Sequence, residues 1–309
     1  MSSTVTVAII QAAPVYYDLP ATLDKAAKLV ADAAAQGATL IVFGETWFPG
    51  YPAWLDYCPN VALWNHPPTK QVFERLHRNS IAVPSKELDF LGALARKHQV
   101  VLVLSINERV EQGAGHGTLY NTLLTIDADG TLANHHRKLM PTYTERMVWG
   151  MGDGVGLQAV DTAVGRVGGL ICWEHWMPLA RQTMHISGEQ IHISVFPTVH
   201  EMHQIASRQY AFEGRTFVLT VGGILAAQDL PAELERPADL PPTQLVQRGG
   251  SAIIAPDGRY LAGPVYNEET ILTATLDLGE IIRESMTLDV TGHYARPDVF
   301  DLTVKRSRP

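Results

Sequence analysis

Residues 5–10, VTVAII, carry alternating β-branched side chains that predict a strand, and residues 21–36 repeat apolar positions at helical spacing. Residues 40–43, LIVF, form a short apolar run that reads as a buried strand. Periodicity then disappears. Residues 45–68 collect Pro49, Pro52, Pro59, Pro67 and Pro68 with Trp47, Trp54 and Trp64, a composition that predicts a packed, ordered loop. Helix returns over 87–98 and a buried strand over 100–107, while residues 119–126 and 131–136 flank Asp129-Gly130, a hairpin turn signal.

The second half repeats this grammar. Residues 167–171 are strand-like, Pro178 can open a helix that Gly188 closes, and residues 191–196 are again strand-like. A helix is predicted over 202–213, a buried strand over 217–224, and a second Asp-Gly hairpin between 251–255 and 260–262. Residues 229–244, rich in proline and carboxylates, read as an exposed loop. Helix and strand alternate without a repeat or a break in composition, so the expectation is one α/β domain over 1–285 followed by a C-terminal tail, 286–309.

Composition narrows the function classes. Of 309 residues, 46% are hydrophobic and 18% charged, which excludes a disordered chain. The 24 basic and 32 acidic residues give a net charge of -8, which argues against a nucleic-acid partner. The N-terminus lacks a basic stretch ahead of its apolar residues, and the longest apolar run, 217–227, is shorter than the roughly 20 residues a bilayer needs. A soluble, cytoplasmic protein with no membrane partner is expected. Cys58 and Cys172 are too few for a disulfide framework or a Cys-built zinc site. The pairs His200/His203 and His185/His192 lack H-E-x-x-H spacing, and neither a P-loop nor a G-x-G-x-x-G fingerprint is present. No metal or cofactor is therefore expected.

Chemistry gathers at strand ends. Cys172 follows the apolar run VGGLI and precedes WEHWMP, where a strand gives way to a predicted helix whose N-terminus would expose the thiol and lower its pKa. The alternative is an inert buried cysteine. His175 is a conceivable base but lies on the same turn, three residues on. Glu45, directly after LIVFG and beside Trp47 and Phe48, is the better candidate, because burial raises a carboxyl toward the neutral pKa of a general base; otherwise it is a loop or capping carboxylate. Lys138 stands after the strand predicted over 131–136 and could stabilise a developing anion, or belong with His135, His136 and Arg137 to a solvated basic cluster. Glu145, among Tyr143, Met147 and Trp149, could tune Lys138 or pair with Arg146 at the surface.

The segments FGETWFPGYPAW around Glu45, HRKLMPTYTERMVWGMGDG around Lys138, LICWEHWMPLAR around Cys172 and GHYARPDVF near the C-terminus resemble signature blocks of the nitrilase branch of the carbon-nitrogen hydrolase superfamily, over about residues 5–301. The resemblance implies Glu45 as general base, Lys138 as stabiliser of the tetrahedral intermediate, Cys172 as nucleophile and Glu145 as a second, assisting carboxylate. It further implies that Tyr51, Trp149, Trp173 and Pro197 line the substrate pocket and that the Trp173 amide contributes to an oxyanion hole. The implied fold is a four-layer α-β-β-α sandwich. The implied partners are a small-molecule nitrile and a second copy in a homodimer that builds spirals or filaments, with the tail in subunit contacts. The segment after GHYARPDVF is short, a departure that bears on the extent of assembly. An amidase or carbamoylase using the same residues, a cyanide-hydrolysing relative, and a non-catalytic assembly module are the alternatives.

Overall fold

The structure, a computed structural model, describes residues 4–308. The first half contains β1 (Thr4–Gln11), α1 (Leu19–Ala35), β2 (Leu40–Phe43), α2 (Trp54–Tyr57), α3 (Pro67–Arg78), α4 (Lys86–His98), β3 (Val101–Arg109), β4 (Leu119–Ile126) and β5 (Leu132–Arg137). The second contains β6 (Val160–Thr162), β7 (Gly165–Ile171), α5 (Pro178–Ile186), β8 (Ile191–Phe196), α6 (Glu201–Gly214), β9 (Phe217–Gly222), β10 (Ile224–Ala226), β11 (Leu245–Ile254), β12 (Tyr260–Tyr266), β13 (Thr270–Asp277) and α7 (Gly279–Ser285).

Two mixed sheets result. One runs β13-β1-β2-β3-β4-β5; the other runs β10-β11-β9-β8-β7-β6, with β12 paired to β11. Strands β1, β2 and β3 are parallel, as are β7, β8 and β9, and antiparallel strands extend each sheet.

Period-two alternation sorts the apolar side chains between layers. From β1, Val5, Val7 and Ile9 enter a core shared with Val167 and Ile171 of β7, Ile191, Ile193 and Val195 of β8 and Leu219 and Val221 of β9. Ala8 and Ile10 face the other way, onto Ala26 and Val30 of α1 and Leu91 and Leu94 of α4. Leu170 of β7 and Val218 of β9 likewise turn outward onto Ala180 and Met184 of α5 and Tyr210 of α6. The order is helix, sheet, sheet, helix, the expected four-layer sandwich. Both Asp-Gly hairpins form, with Gly130 and Gly258 at φ +85° and +81°, a region glycine enters without Cβ strain.

Several elements depart from the sequence pattern. Residues 45–68 contain the one-turn α2, and Pro67 opens α3, because a proline at a first-turn position gives up no intrahelical bond. Trp47 and Trp54 are buried as expected of a packed loop, but Trp64 is 98% exposed. Strand β11 starts at Leu245, earlier than residue 251, and β6, β10, β13 and α7 have signals too short or too mixed to read. Loop 229–244 is anchored by buried Leu230 and Leu234. The end of the chain returns along the body: Arg308 donates to Asp153 at 2.7 Å and meets His135 Nδ1 at 2.9 Å, and Arg306 donates to the Leu157 carbonyl.

Candidate active site

Glu45 lies two residues beyond β2, Lys138 directly after β5, Cys172 directly after β7 and Pro197 directly after β8. These are C-terminal strand ends, where α/β folds converge side chains. Lys138 is the hub. Its Nζ donates to Glu145 at 2.7 Å (Oε2) and 3.0 Å (Oε1), and to Glu45 Oε1 at 3.1 Å. All three side chains are buried. The expectation of a solvated basic cluster therefore fails for Lys138, and Glu145 does not pair with Arg146, which donates instead to the Pro141 carbonyl.

Glu145 accepts two further hydrogen bonds: the Tyr51 hydroxyl donates to it at 2.9 Å, and the Thr142 amide at 2.6 Å closes a capping box over its turn. Glu45 Oε1 also accepts from Asn121 Nδ2 at 2.7 Å, whereas Glu45 Oε2 is buried without a hydrogen-bond partner. Burial pushes the Glu45 carboxyl up to about 7; Lys138 and Asn121 oppose the rise and Glu145 adds to it. Burial also disfavours the Lys138 ammonium, but Glu45, Cys172 and Glu145 outweigh that effect and hold it charged.

Cys172 adopts φ +53°, a left-handed backbone uncommon for a residue with a Cβ, at the start of the tight turn Cys172–Trp176. Glu174 secures that turn. Its carboxylate accepts from the amides of Ile171 and Leu139, both at 2.7 Å, and from His136 Nε2 at 2.9 Å, so it joins the Cys172 turn to the loop carrying Lys138. The thiol reaches the cavity while the residue is only 5% exposed.

One expectation is reversed here. Burial pushes the thiol well above its ordinary value, and the Glu45 charge adds to the rise, against the opposing Lys138 ammonium and Trp173 amide. The turn is a single five-residue 3-10 segment, and α5 begins only at Pro178, so no helix dipole is aimed at the sulfur. Burial thus favours the neutral thiol, and Glu45 keeps one oxygen without a hydrogen-bond partner. His175, weighed as a base, points its Nδ1 at the Cys172 carbonyl, 2.7 Å away.

The cavity above the thiol has a volume of about 960 Å³. Tyr51, Glu145, Trp173, Trp176 and Pro197 are on its walls, and the buried Lys138 and Glu45 connect to it through Glu145. Trp149 does not line it. That indole is buried behind Tyr51, at a 5.6 Å edge-on ring distance, with its N–H donated to Asn107 Oδ1 at 2.9 Å. Asn107, Asn121 and Glu174 contact the site and have no counterpart in the sequence reading. Their signal was a polar side chain at a site that pattern made buried: Asn107 and Asn121 lie within apolar strands, and Glu174 immediately follows a strand-end motif.

Fold and cluster together define a class: a two-sheet α/β sandwich in which a thiol, an ammonium and two carboxylates meet below a cavity, the equipment of a hydrolase directed at carbon-nitrogen bonds. The carbon-nitrogen hydrolase family model matches residues 6–283, and the chain belongs to that family. It is 41% identical to a bifunctional nitrilase/nitrile hydratase of Nicotiana tabacum, over 98% of this chain and 86% of the relative. It is 42% identical to an aliphatic nitrilase of Sinorhizobium fredii, over 96% of this chain and 94% of the relative. Among solved structures, a carbon-nitrogen hydrolase from Helicobacter pylori superposes with a TM-score of 0.72 at 21% identity, covering 96% of both chains, a likeness of fold.

Proposed function

We propose that the protein is a nitrilase that converts an organic nitrile and two waters to a carboxylic acid and ammonia. The observation that carries this reading is the Cys172 thiol lining the cavity together with the buried Lys138, which binds both Glu45 and Glu145, and Glu45 Oε2, which has no hydrogen-bond partner. Sequence identity to curated nitrilases over nearly the whole chain supports the same substrate class.

Glu45 takes the thiol proton as sulfur adds to the nitrile carbon, and returns it to nitrogen, giving a thioimidate. Water adds with Glu45 again as base. The tetrahedral species expels ammonia, and the resulting thioester is hydrolysed by a second water, restoring the thiol. Lys138 and the Trp173 N–H oppose negative charge developing on the substrate nitrogen or oxygen, contacts typically worth about 3 kcal/mol each. Glu145 and Tyr51 hold the Lys138 ammonium in place. Expulsion of sulfur in place of ammonia would release an amide from the same tetrahedral species.

The reading extends to assembly in the cytoplasm, with residues 1–285 as the hydrolase domain. Leu179 and Ile186 of α5 and Met202, Ile205 and Phe212 of α6 are exposed together, which supports a second copy docking on this layer. Exposed Met286, Tyr294, Val299 and Phe300 support subunit contacts by the tail, including those of a spiral or filament. No helix among the described residues is long and apolar enough to cross a membrane.

The test is a panel of arylaceto-, aromatic and aliphatic nitriles with ammonia, acid and amide quantified for wild type and Cys172→Ala. Turnover of at least one nitrile by wild type and none by the folded variant is expected. Ammonia release by Cys172→Ala at the wild-type rate would overturn the mechanism.

A further inference from the structure

Beneath the Cys172 turn lies a buried chain of titratable groups that the mechanism above does not use. His175 Nδ1 is 2.7 Å from the Cys172 carbonyl oxygen, and His175 Nε2 is 3.0 Å from His192 Nε2. His192 Nδ1 is 2.8 Å from Glu189 Oε2, and the Tyr210 hydroxyl donates to Glu189 Oε1. The His192 ring also stacks on Tyr210 at 3.7 Å, and all four residues are buried.

Hydrogen-bond chemistry permits one direction of travel. A carbonyl only accepts, so His175 Nδ1 carries a proton. Burial, reinforced by His192, pushes the His175 imidazole down to about 3, so the ring is neutral and its Nε2 is an acceptor. His192 Nε2 must then be the donor, and the proton between His192 Nδ1 and Glu189 completes the set. Donation therefore runs from the Glu189/His192 pair through His175 to the Cys172 oxygen.

That oxygen belongs to the Cys172–Trp173 peptide, whose N–H favours the ionised form of the Cys172 sulfur. A peptide whose carbonyl accepts a hydrogen bond becomes a better donor at its own N–H, because bonds in a chain polarise one another. The same bond pins the left-handed residue that presents the thiol. We propose that His175 is a positioning residue for the nitrile reaction: held in its Nδ1-protonated tautomer by His192, it orients and polarises the Cys172–Trp173 peptide, and so strengthens the amide that faces the sulfur and the substrate's developing anion. This rests on the nitrilase reading.

Two near-isosteric variants separate the ring's two bonds. Asparagine places an N–H₂ where Nδ1 stood and keeps the bond to the Cys172 carbonyl; glutamine places its amide where Nε2 stood and keeps only the bond to His192. With the best nitrile from the panel, His175→Gln is expected to lose about tenfold in kcat with KM within twofold, and His175→Asn to stay within threefold of wild type in both. Nitrogen chemical shifts of wild-type His175 are expected to report Nδ1–H and a bare Nε2 between pH 6 and 8. Equal kcat losses in the two variants, a loss confined to Tm with kcat unchanged in His175→Gln, or an Nε2–H tautomer would each overturn the proposal. The tautomer measurement needs no turnover and decides the matter if His175→Gln does not fold. An inert wild type with the expected tautomer would instead count against the nitrilase reading.

Discussion

Replacing Glu45 with glutamine removes a charge and one lone pair while leaving the shape of the site. The new amide oxygen can still accept from Asn121 and Lys138, and Lys138 keeps both contacts to Glu145. What disappears is the unpartnered Oε2, the only oxygen of the carboxylate free to take the thiol proton. General-base catalysis contributes about 10²- to 10⁴-fold. The variant's kcat/KM should therefore fall by that factor, about 3 to 5 kcal/mol of barrier.

Three assays read three different consequences. Initial rates of ammonia release against pH should show wild-type kcat/KM rising with pH through about 7, because the base must be ionised and burial holds it near that value. No descending limb is expected below pH 9, since the thiol titrates well above its ordinary range. The variant should lose the rising limb altogether. Thermal melting at pH 7.5 should be retained or improved, since a buried charge has been removed. Alkylation of Cys172 by iodoacetamide at pH 9 should accelerate in the variant, because the Glu45 charge that opposes thiolate formation is gone. Slower turnover with faster alkylation is a pair of opposite signs that general damage to the site does not produce. A Glu45→Gln enzyme within tenfold of wild type, or one whose rising limb is unchanged, would refute the assignment of Glu45 as base.

Asn121→Ala removes the donor that favours the ionised form of Glu45, so the rising limb of the kcat/KM profile should move to higher pH; a downward move would contradict the bond's role. Glu174→Gln should lower stability by about 2 to 4 kcal/mol in urea unfolding, because two buried amides and His136 share its carboxylate. Burial acts to raise the Glu174 carboxyl, but His136 and the Leu139 and Ile171 amides hold it below its usual range. Its stabilisation is thus complete above the ordinary carboxylate pKa and fades as pH falls through the lower folded value, so the gap to wild type should narrow in acid. At Gly169 of β7, a Cβ would lie 2.6 Å from Leu123 Cδ2 and 3.0 Å from the Ile193 carbonyl. Gly169→Ala should cost about 1 to 3 kcal/mol and lower kcat, and adding Leu123→Val, which deletes the obstructing carbon, should recover much of both; failure to recover kcat would break the link.

The strands and helices that position the site were legible because burial on both faces left continuous apolar runs, as in 40–43 and 167–171, and their ends located Glu45 and Cys172. Lys138 and Glu145 were legible as residues, but not as buried ones, since local sequence cannot separate a buried ion cluster from a surface one. The thiol's acidity was misread for a related reason. It depends first on burial, which raises the thiol, and then on the charges gathered around the sulfur in three dimensions, where Glu45 and Glu145 oppose Lys138. Trp149 shows the limit for aromatic residues: composition marks a bulky apolar group, while only packing decides whether it faces the cavity or stands behind Tyr51. Helix α3 was hidden because its opening prolines, Pro67 and Pro68, look from sequence alone like the end of a loop.

The proposed reacting groups come from different sheets. Glu45 and Lys138 leave the sheet built on β1 to β5, whereas Cys172 leaves β7 of the other, and the two sheets touch through the side chains of their common core. Packing of apolar side chains is dense but not directional, so by itself it does not fix a thiol against a carboxylate to within a fraction of an ångström. Glu174 supplies direction, since one carboxylate accepts from Ile171 at the end of β7 and from Leu139 beside Lys138. Lys138 supplies it on the other side by binding Glu45 and Glu145 together. Among these buried charges, Glu174 is therefore a directional contact between the two sheets, while the Lys138 cluster fixes Glu45 against Glu145 on one side of the site.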